Sequence, residues 1–503
     1  MRPPSRIVRF IWQIINRVRF LTKNFELRLS DNINIIEELF RGDSILRKRE
    51  FSFCGVSACL FYFDGMVNVE LINESIIKPL VRARVQIPKE SPAAFVSDKL
   101  LFASELKRTS VIDDAVKSML YGDTLLLLEN SHIAIVINTK GWRTRGISEP
   151  ENERVLQGPR EGFDEAAMFN VAMLRRRLQT PDFCASMLML GRRTKTFVFV
   201  CFLKSLVNEK SLKILKERLS KIDMDSVLDS NYITEQISDN KASLFKSVGS
   251  TERPDIVAAR LLEGRIALVV DATPVVITLP YLFSENFQAD EDYYVNYKIA
   301  TAGRLLRYLS FVLAVGIPAL YLALTTFHFD FLPPSFAATV QTARRGVPFP
   351  SYLECIILTL IFEILRETGQ RMPQSVGHAL SIVGGLVVGQ AAVEARIVSA
   401  PMLIAVALSG ICSLMVPRLK TAVFVLRFVM IFAAALLGIY GILTVTAITL
   451  ISVFKMQSFG VDSTLSLDEP TPQKLKDTLI RASWRKMLKR PLIQTKNIIR
   501  KRK

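Results

Sequence analysis

The sequence predicts a cytosolic α/β region of two subdomains at the N-terminus, joined to a polytopic α-helical membrane domain. Three observations carry this. Charges recur every few positions up to about residue 300, whereas Tyr308–Phe454 is a series of long apolar runs. Before that change, helical and strand patterns alternate, with strands apolar enough to be buried in a sheet. One pattern (helix, glycine, strand, tight turn, strand) occurs twice, with Gly122 falling on Gly264.

The elements follow in order. Residues 1–30 carry a basic amphipathic helix, in which Ile7, Ile11, Ile14, Val18 and Leu21 recur at helical spacing. It either lies on an anionic membrane surface or packs on its own protein. Arg9, Arg17 and Arg19 interrupt the apolar stretch too often for a cleavable signal peptide, so residues 31–300 are expected in the cytoplasm. There, Phe51–Ser57 reads as a strand. Val111–Leu120 reads as a helix, followed by Gly122, the strand Thr124–Leu128, a turn at Asn130-Ser131 and the strand Ile133–Ile137. The second occurrence runs through Ile256–Leu262, Gly264, Ile266–Val270, Thr273-Pro274 and Val275–Ile277. Leu120 falls on Leu262, Glu129 on Asp271 and Ile135 on Ile277. Between the two halves, Phe183–Leu190 and Thr196–Phe202 read as strands and Ser211–Leu219 as a helix.

Residues 301–454 form the membrane domain, with four to six helical segments. Tyr308–Phe327 is long enough to cross a bilayer. Tyr352–Leu365 is shorter, Val376–Val393 is rich in small residues, and Ile397–Val416 is another span. Ala422–Phe454 is too long for one untilted helix, and a break near Gly438-Ile-Tyr-Gly441 makes it a hairpin. That count gives six crossings; two re-entrant segments would leave four. Either even number puts the body and the basic tail, residues 455–503, on the cytoplasmic side.

The net charge of +18 divides into +4 for residues 1–300, +5 for 301–454 and +9 for 455–503. The first 30 residues contribute +6, so residues 31–300 sum to −2. Basic charge at the termini and around the spans suits anionic membrane lipid. A nucleic-acid-binding domain would carry it on the folded body, so no nucleic-acid partner is expected. The six cysteines lack CxxC spacing and read as reduced, small apolar side chains. His132, His328 and His378 are far apart, and no metal, triad or cofactor pattern appears. The expectation is a protein without cofactor that is not an enzyme.

The candidate site residues lie mostly in the membrane domain. Gly377, Ser381, Gly385 and Gly389, spaced by four, make a small-residue ridge on one helix face, widened by Gly384. It packs within one subunit, packs between subunits, or lines a narrow pore. Gln390 and Glu394 share that segment with His378, which a lipid-facing helix rarely tolerates. Glu354, Glu363 and Glu367 fall in or beside the short apolar segment, where a ring of carboxylates would favour cations. Local pairing is the alternative, of Glu363 with Arg366 and of Glu367 with Arg371, whereas Glu354 has no partner close in sequence. Gly346-Val-Pro-Phe-Pro350 is a rigid turn. In the soluble part, Gly158-Pro159-Arg160-Glu161-Gly162-Phe163 precedes a helix ending in Arg175-Arg176-Arg177 and lacks the GxxxxGK[ST] phosphate loop.

Residues 146–182, the run from Gly346-Val-Pro-Phe-Pro350 through Phe362-Glu-Ile-Leu-Arg-Glu to Ser381–Glu394, Gly438-Ile-Tyr-Gly441, Ser458-Phe-Gly-Val461 and Arg490-Pro491 resemble the GerA family of spore germinant-receptor A subunits. The resemblance implies a role in ending spore dormancy, in the spore inner membrane. It implies a homo-oligomeric channel for monovalent cations, acting with a transporter-like B subunit that binds the nutrient and a lipoprotein C subunit. It also implies a cytosolic region of two α/β subdomains. Two alternatives stand beside this: an auxiliary paralogue of the same family, and a non-conducting scaffold or relay.

Overall fold

The computed structural model describes residues 23–464 except 89, 142–149, 151–152, 154, 156, 242 and 372–388, and also residues 476–490 and 499–500. The basic helix expected within residues 5–22 lies outside the described residues. The chain divides into two compact units. One holds residues up to Ser238, Val248–Pro280 and the chain from Arg490; the other holds Asp239–Ser247 and Tyr281–Lys489.

The first unit contains two five-stranded antiparallel sheets built to one plan. In chain order the strands are β1 (Leu46–Phe53), β2 (Val56–Phe63), β3 (Leu106–Thr109), β4 (Thr124–Leu128) and β5 (Ala134–Ile137). Then come β6 (Phe183–Leu190), β7 (Thr196–Leu203), β8 (Gly249–Thr251), β9 (Ile266–Val270) and β10 (Val276–Leu279). The sheet orders are β1-β2-β4-β5-β3 and β6-β7-β9-β10-β8, which are the same order shifted by five. Helices α1 (Leu29–Leu39), α2 (Ile112–Leu120), α3 (Ala167–Arg177) and α4 (Pro254–Leu262) share one apolar core with one face of each sheet. Every side chain of β4, β5, β9 and β10 is buried, which is why these strands read as unbroken apolar runs.

Phe51–Ser57 is not a single strand. Cys54 and Gly55 stand at φ +49° and +79° and turn β1 back onto β2, with Phe53 paired to Val56. Two successive positive-φ residues are what a two-residue hairpin loop demands, and Gly55 meets that at no steric cost.

The two halves repeat one another down to single hydrogen bonds. Gly122 and Gly264 both close a helix at positive φ, +98° and +89°, and Asn130 and Ala272 turn the following hairpins at +59° and +67°. The Asn32 side chain accepts from Glu26 N at 2.8 Å, and that of Asn170 from Asp164 N at 2.8 Å. Glu129 accepts from the first helical N–H of α1 (Leu29), and Asp271 from that of α3 (Ala167). A buried arginine joins the halves: Arg175 pairs with Asp43, both fully buried, and its guanidinium lies 4.1 Å from the Phe63 ring. The six cysteines are free. Burial pushes the Cys59 and Cys184 thiols up to about 12 and about 11, which suppresses thiolate chemistry at neutral pH.

Among the described residues the longest helices of the second unit are α5 (Tyr297–Thr326), α6 (Ser351–Arg371), α7 (Ala400–Leu414), α8 (Lys420–Leu437) and α9 (Ile439–Phe454). Tyr297–Thr326 and Pro417–Leu437 are long and apolar enough to cross a membrane; α7 and α9 are shorter apolar helices. The long run Ala422–Phe454 breaks at Gly438, whose φ of +60° and ψ of −136° suit only glycine. The chain folds back so tightly that a Cβ on Gly441 would stand 2.1 Å from the Ala433 carbonyl oxygen. After α9, the strands Gln457–Ser458 and Val461–Asp462 form a small hairpin, turned by Phe459 and Gly460. Ser458 Oγ donates to Ser247 O and accepts from Tyr281 N, so the start of the expected tail is packed structure.

Candidate functional site

Charges are scarce in the apolar helices of the second unit, so the partner of each one decides what it can do. Pro318 sits inside α5 and has no N–H to offer the carbonyl of Ala314, one turn earlier. That freed oxygen accepts from Ser409 Oγ of α7 at 2.6 Å and from Arg427 Nε of α8 at 2.9 Å. Arg427 is fully buried; its Nη1 bonds Glu363 of α6 at 2.9 Å and its Nη2 bonds Ser409 O at 3.3 Å. One guanidinium thus ties four helices at one level. A buried guanidinium left without its partner costs about 3–5 kcal/mol, which is why its donors must find acceptors.

Glu363 also lies 3.8 Å from Arg366, so the expected local pair is present but secondary to Arg427. Glu367 pairs with Arg371 at 2.9 Å as expected, and with Lys420 at 3.0 Å. Glu354 is fully buried. Its Oε1 accepts from Ser399 N and Ser399 Oγ, both at 2.6 Å, 45 residues away in the chain. Ser399 is the residue before α7 and makes no side-chain cap of its own. The carboxylate therefore caps that helix, where its negative charge also suits the helix dipole. These contacts also fix directions. The starts of α6 and α7 meet through Glu354 and their ends through Arg366 and Ser413 (3.2 Å), so the two helices are parallel. Glu367, near the end of α6, meets Lys420 at the start of α8, so α8 returns.

Gly377, Ser381 and Gly385, with Gly384 and His378, lie outside the described residues. Gly389 is buried, and a Cβ there would touch Leu403 Cδ2 at 3.4 Å. On the same helical turn, Gln390 Nε2 donates to Glu394 Oε1 at 2.9 Å, and both side chains are exposed.

At the N-terminal end of α5, Arg304 is fully buried against Asp292 (2.8 Å) and Asp477 (3.0 Å). Arg307 also reaches Asp292, and Arg418 pairs with Asp290 at 3.2 Å. Sequence reading passes over this cluster, since Asp477 lies in the expected tail.

The motif Gly158–Phe163 acts as a strut in the first unit. The Pro159 carbonyl accepts from buried Arg253 at 2.9 Å, and Glu161 pairs with both Arg176 and Arg177. Gly162 and Phe163 are buried, and Phe163 N donates to Glu252 O at 2.8 Å as Phe25 N does to Ser110 O in the other half. Gly158, at φ +126°, and Arg160 are exposed. Burial raises the Glu161 carboxyl, but the two guanidiniums outweigh it and hold the group below its ordinary range.

The chain matches the family described as Bacillus/Clostridium GerA spore germination protein over residues 34–493. It is 38% identical to the uncharacterized membrane protein YfkQ of Bacillus subtilis, covering 92% of this chain and 90% of that protein. It is also 38% identical to spore germination protein KA of Bacillus subtilis, over 87% and 80% of the two chains. Spore germination protein GerLA of Bacillus cereus is 32% identical, over 89% and 92%. Among solved structures, the N-terminal domain of the A subunit of the Bacillus megaterium spore germinant receptor GerK3 is 28% identical. That match covers 52% of this chain and 98% of that one, with a TM-score of 0.42. On the family match and these identities, the chain belongs to the GerA family of spore germination proteins.

Proposed function

We propose that the chain is a membrane-embedded, homo-oligomeric cation-channel subunit of a germinant receptor, in the spore inner membrane, working with B- and C-type subunits. Glu354, Glu363 and Glu367 are engaged within the chain by Ser399, Arg427 and Lys420, which makes them poor pore linings. The observation that carries the reading is the exposed Gln390–Glu394 pair, on the turn that continues the small-residue ridge. In a ring of copies this would present one carboxylate per subunit to a narrow axis, which favours monovalent cations over anions.

Potassium efflux from liposomes holding the purified full chain tests this. Efflux is expected from the native protein, with weakened cation-over-anion selectivity in Glu394→Gln. Absence of flux from a preparation that is oligomeric and inserted would favour the other reading, a relay between a nutrient-binding partner and downstream machinery. One observation favours the relay: Arg427 gathers four helices into a single unit able to move together.

A further inference from the structure

Between the α8–α9 hairpin and the segment Asp239–Ser247 lies a cleft of about 720 Å³, within the range of sites that hold a discrete ligand. Its two ends differ in chemistry. Toward the middle of the hairpin the walls are Leu426 and Val429 of α8 and Val445 and Ile448 of α9. Leu426 is buried and forms the floor, whereas Val429 and Ile448 are 44% and 59% exposed, so the apolar end is open along its side. Toward the end of α9 the lining becomes polar, with Asp239, Asn240, Ser243, Ser452, Lys455 and Gln457; Asp239 Oδ2 already accepts from Phe459 N at 2.8 Å. Lys455 makes no ion pair among the described residues, and it follows an apolar helix of 16 residues. The same end of the bundle carries Arg418 and Lys420 at the start of α8.

An apolar slot open along one side, with Lys455 at its polar end and the Asp239 carboxylate there already engaged by the Phe459 N–H, fits a molecule with a long hydrocarbon body and an anionic head. We propose that the cleft is a binding site for one anionic phospholipid, its phosphate at Lys455 and Ser243 and an acyl chain between Val429 and Ile448. A free phosphate would leave the apolar end wet, and a fatty chain without a head would leave Lys455 facing hydrocarbon. The proposal rests on the membrane reading above but not on conduction.

Native mass spectrometry of the full chain, purified from vesicles of equal phosphatidylglycerol and phosphatidylcholine, tests it. One retained lipid per chain is expected, enriched in phosphatidylglycerol by several-fold. Ile448→Trp, which fills the slot, should abolish retention; Lys455→Gln should keep retention and lose the headgroup preference. Equal retention of both lipids by the native chain, or retention unchanged in Ile448→Trp, overturns the site. A photo-cross-linking residue at Ile448 that joins two copies instead of a lipid also overturns it, making the cleft a subunit contact. Flotation of the same vesicles separates the two failures: a chain that does not float sinks the membrane reading itself, whereas one that floats without a retained lipid sinks only this site.

Discussion

Arg427 is the only charged residue between Thr421 and Phe454, and its side chain decides how four helices meet. Truncating one member of a buried, hydrogen-bonded charge pair strands the other, at about 3–5 kcal/mol. Arg427→Ala should therefore lower the thermal midpoint of the detergent-solubilised protein sharply, whereas the double variant Arg427→Met/Glu363→Met should recover part of the loss. Glu161 offers a contrast at a half-buried position. Its folded pKa lies below the ordinary 4.5, so the stability it lends is fully present above that value and is lost as pH falls through the depressed one. Hydrogen-exchange protection factors around residues 157–166, corrected for the intrinsic rate at each pH, should fall below about pH 4.5 in the native chain, and Glu161→Gln should remove that dependence. The carboxylates of α6 stand out in the sequence because acids amid apolar residues are conspicuous. Their partners do not, because Ser399 and Arg427 lie 45 and 64 residues away and no local spacing points to them. The clue to Arg427 is there nonetheless: a lone arginine in one apolar run and a proline in another.

At the level of elements, glycines do two separate jobs, and substitution separates them. Gly122→Ala and Gly264→Ala place a side chain at positive φ and should each destabilise the first unit by about 1–2 kcal/mol. Gly441→Ala meets backbone, the Ala433 carbonyl, and should pry α9 from α8, read as protease sensitivity near Gly438. Gly316→Ala meets nothing within 4 Å and should leave the fold intact or tighten α5 by about 1 kcal/mol. Strands buried on both faces are legible in sequence: Thr124–Leu128 and Ile266–Val270 begin and end where their apolar runs do, and the edge strand Phe183–Leu190, partly exposed at Met187 and Met189, is legible because those exposed positions are apolar too. The hairpin at Cys54-Gly55 is hidden because β1 is mostly exposed, so no apolar run marks it apart from its turn. The helical stretch Val69–Arg82 is hidden too, since its middle, Ile72–Ile77, winds as a π-helix and breaks the 3.6-residue rhythm.

For the whole molecule, the distribution of exposed apolar side chains matters most. Leu436 and Tyr440 are 75% and 71% exposed at the α8–α9 bend, and Val312, Ile404, Ile411 and Phe432 are more than half exposed on three helices. Large apolar side chains exposed on several helices suit contact with lipid or with another protein chain, and on the membrane reading proposed above that cover is lipid. Carbonate washing of membranes should accordingly leave the chain in the pellet.

The arginine that gathers the helices also bears on how the chain is made. Glu363 leaves the ribosome 64 residues before Arg427. On the membrane reading, the acid is already waiting in or beside the insertion machinery when the base arrives, and α8 can move into lipid with its charge matched from the outset. Loss of Glu363 should then show itself first during synthesis, as chains degraded before α8 settles, and only afterwards as a weaker finished protein.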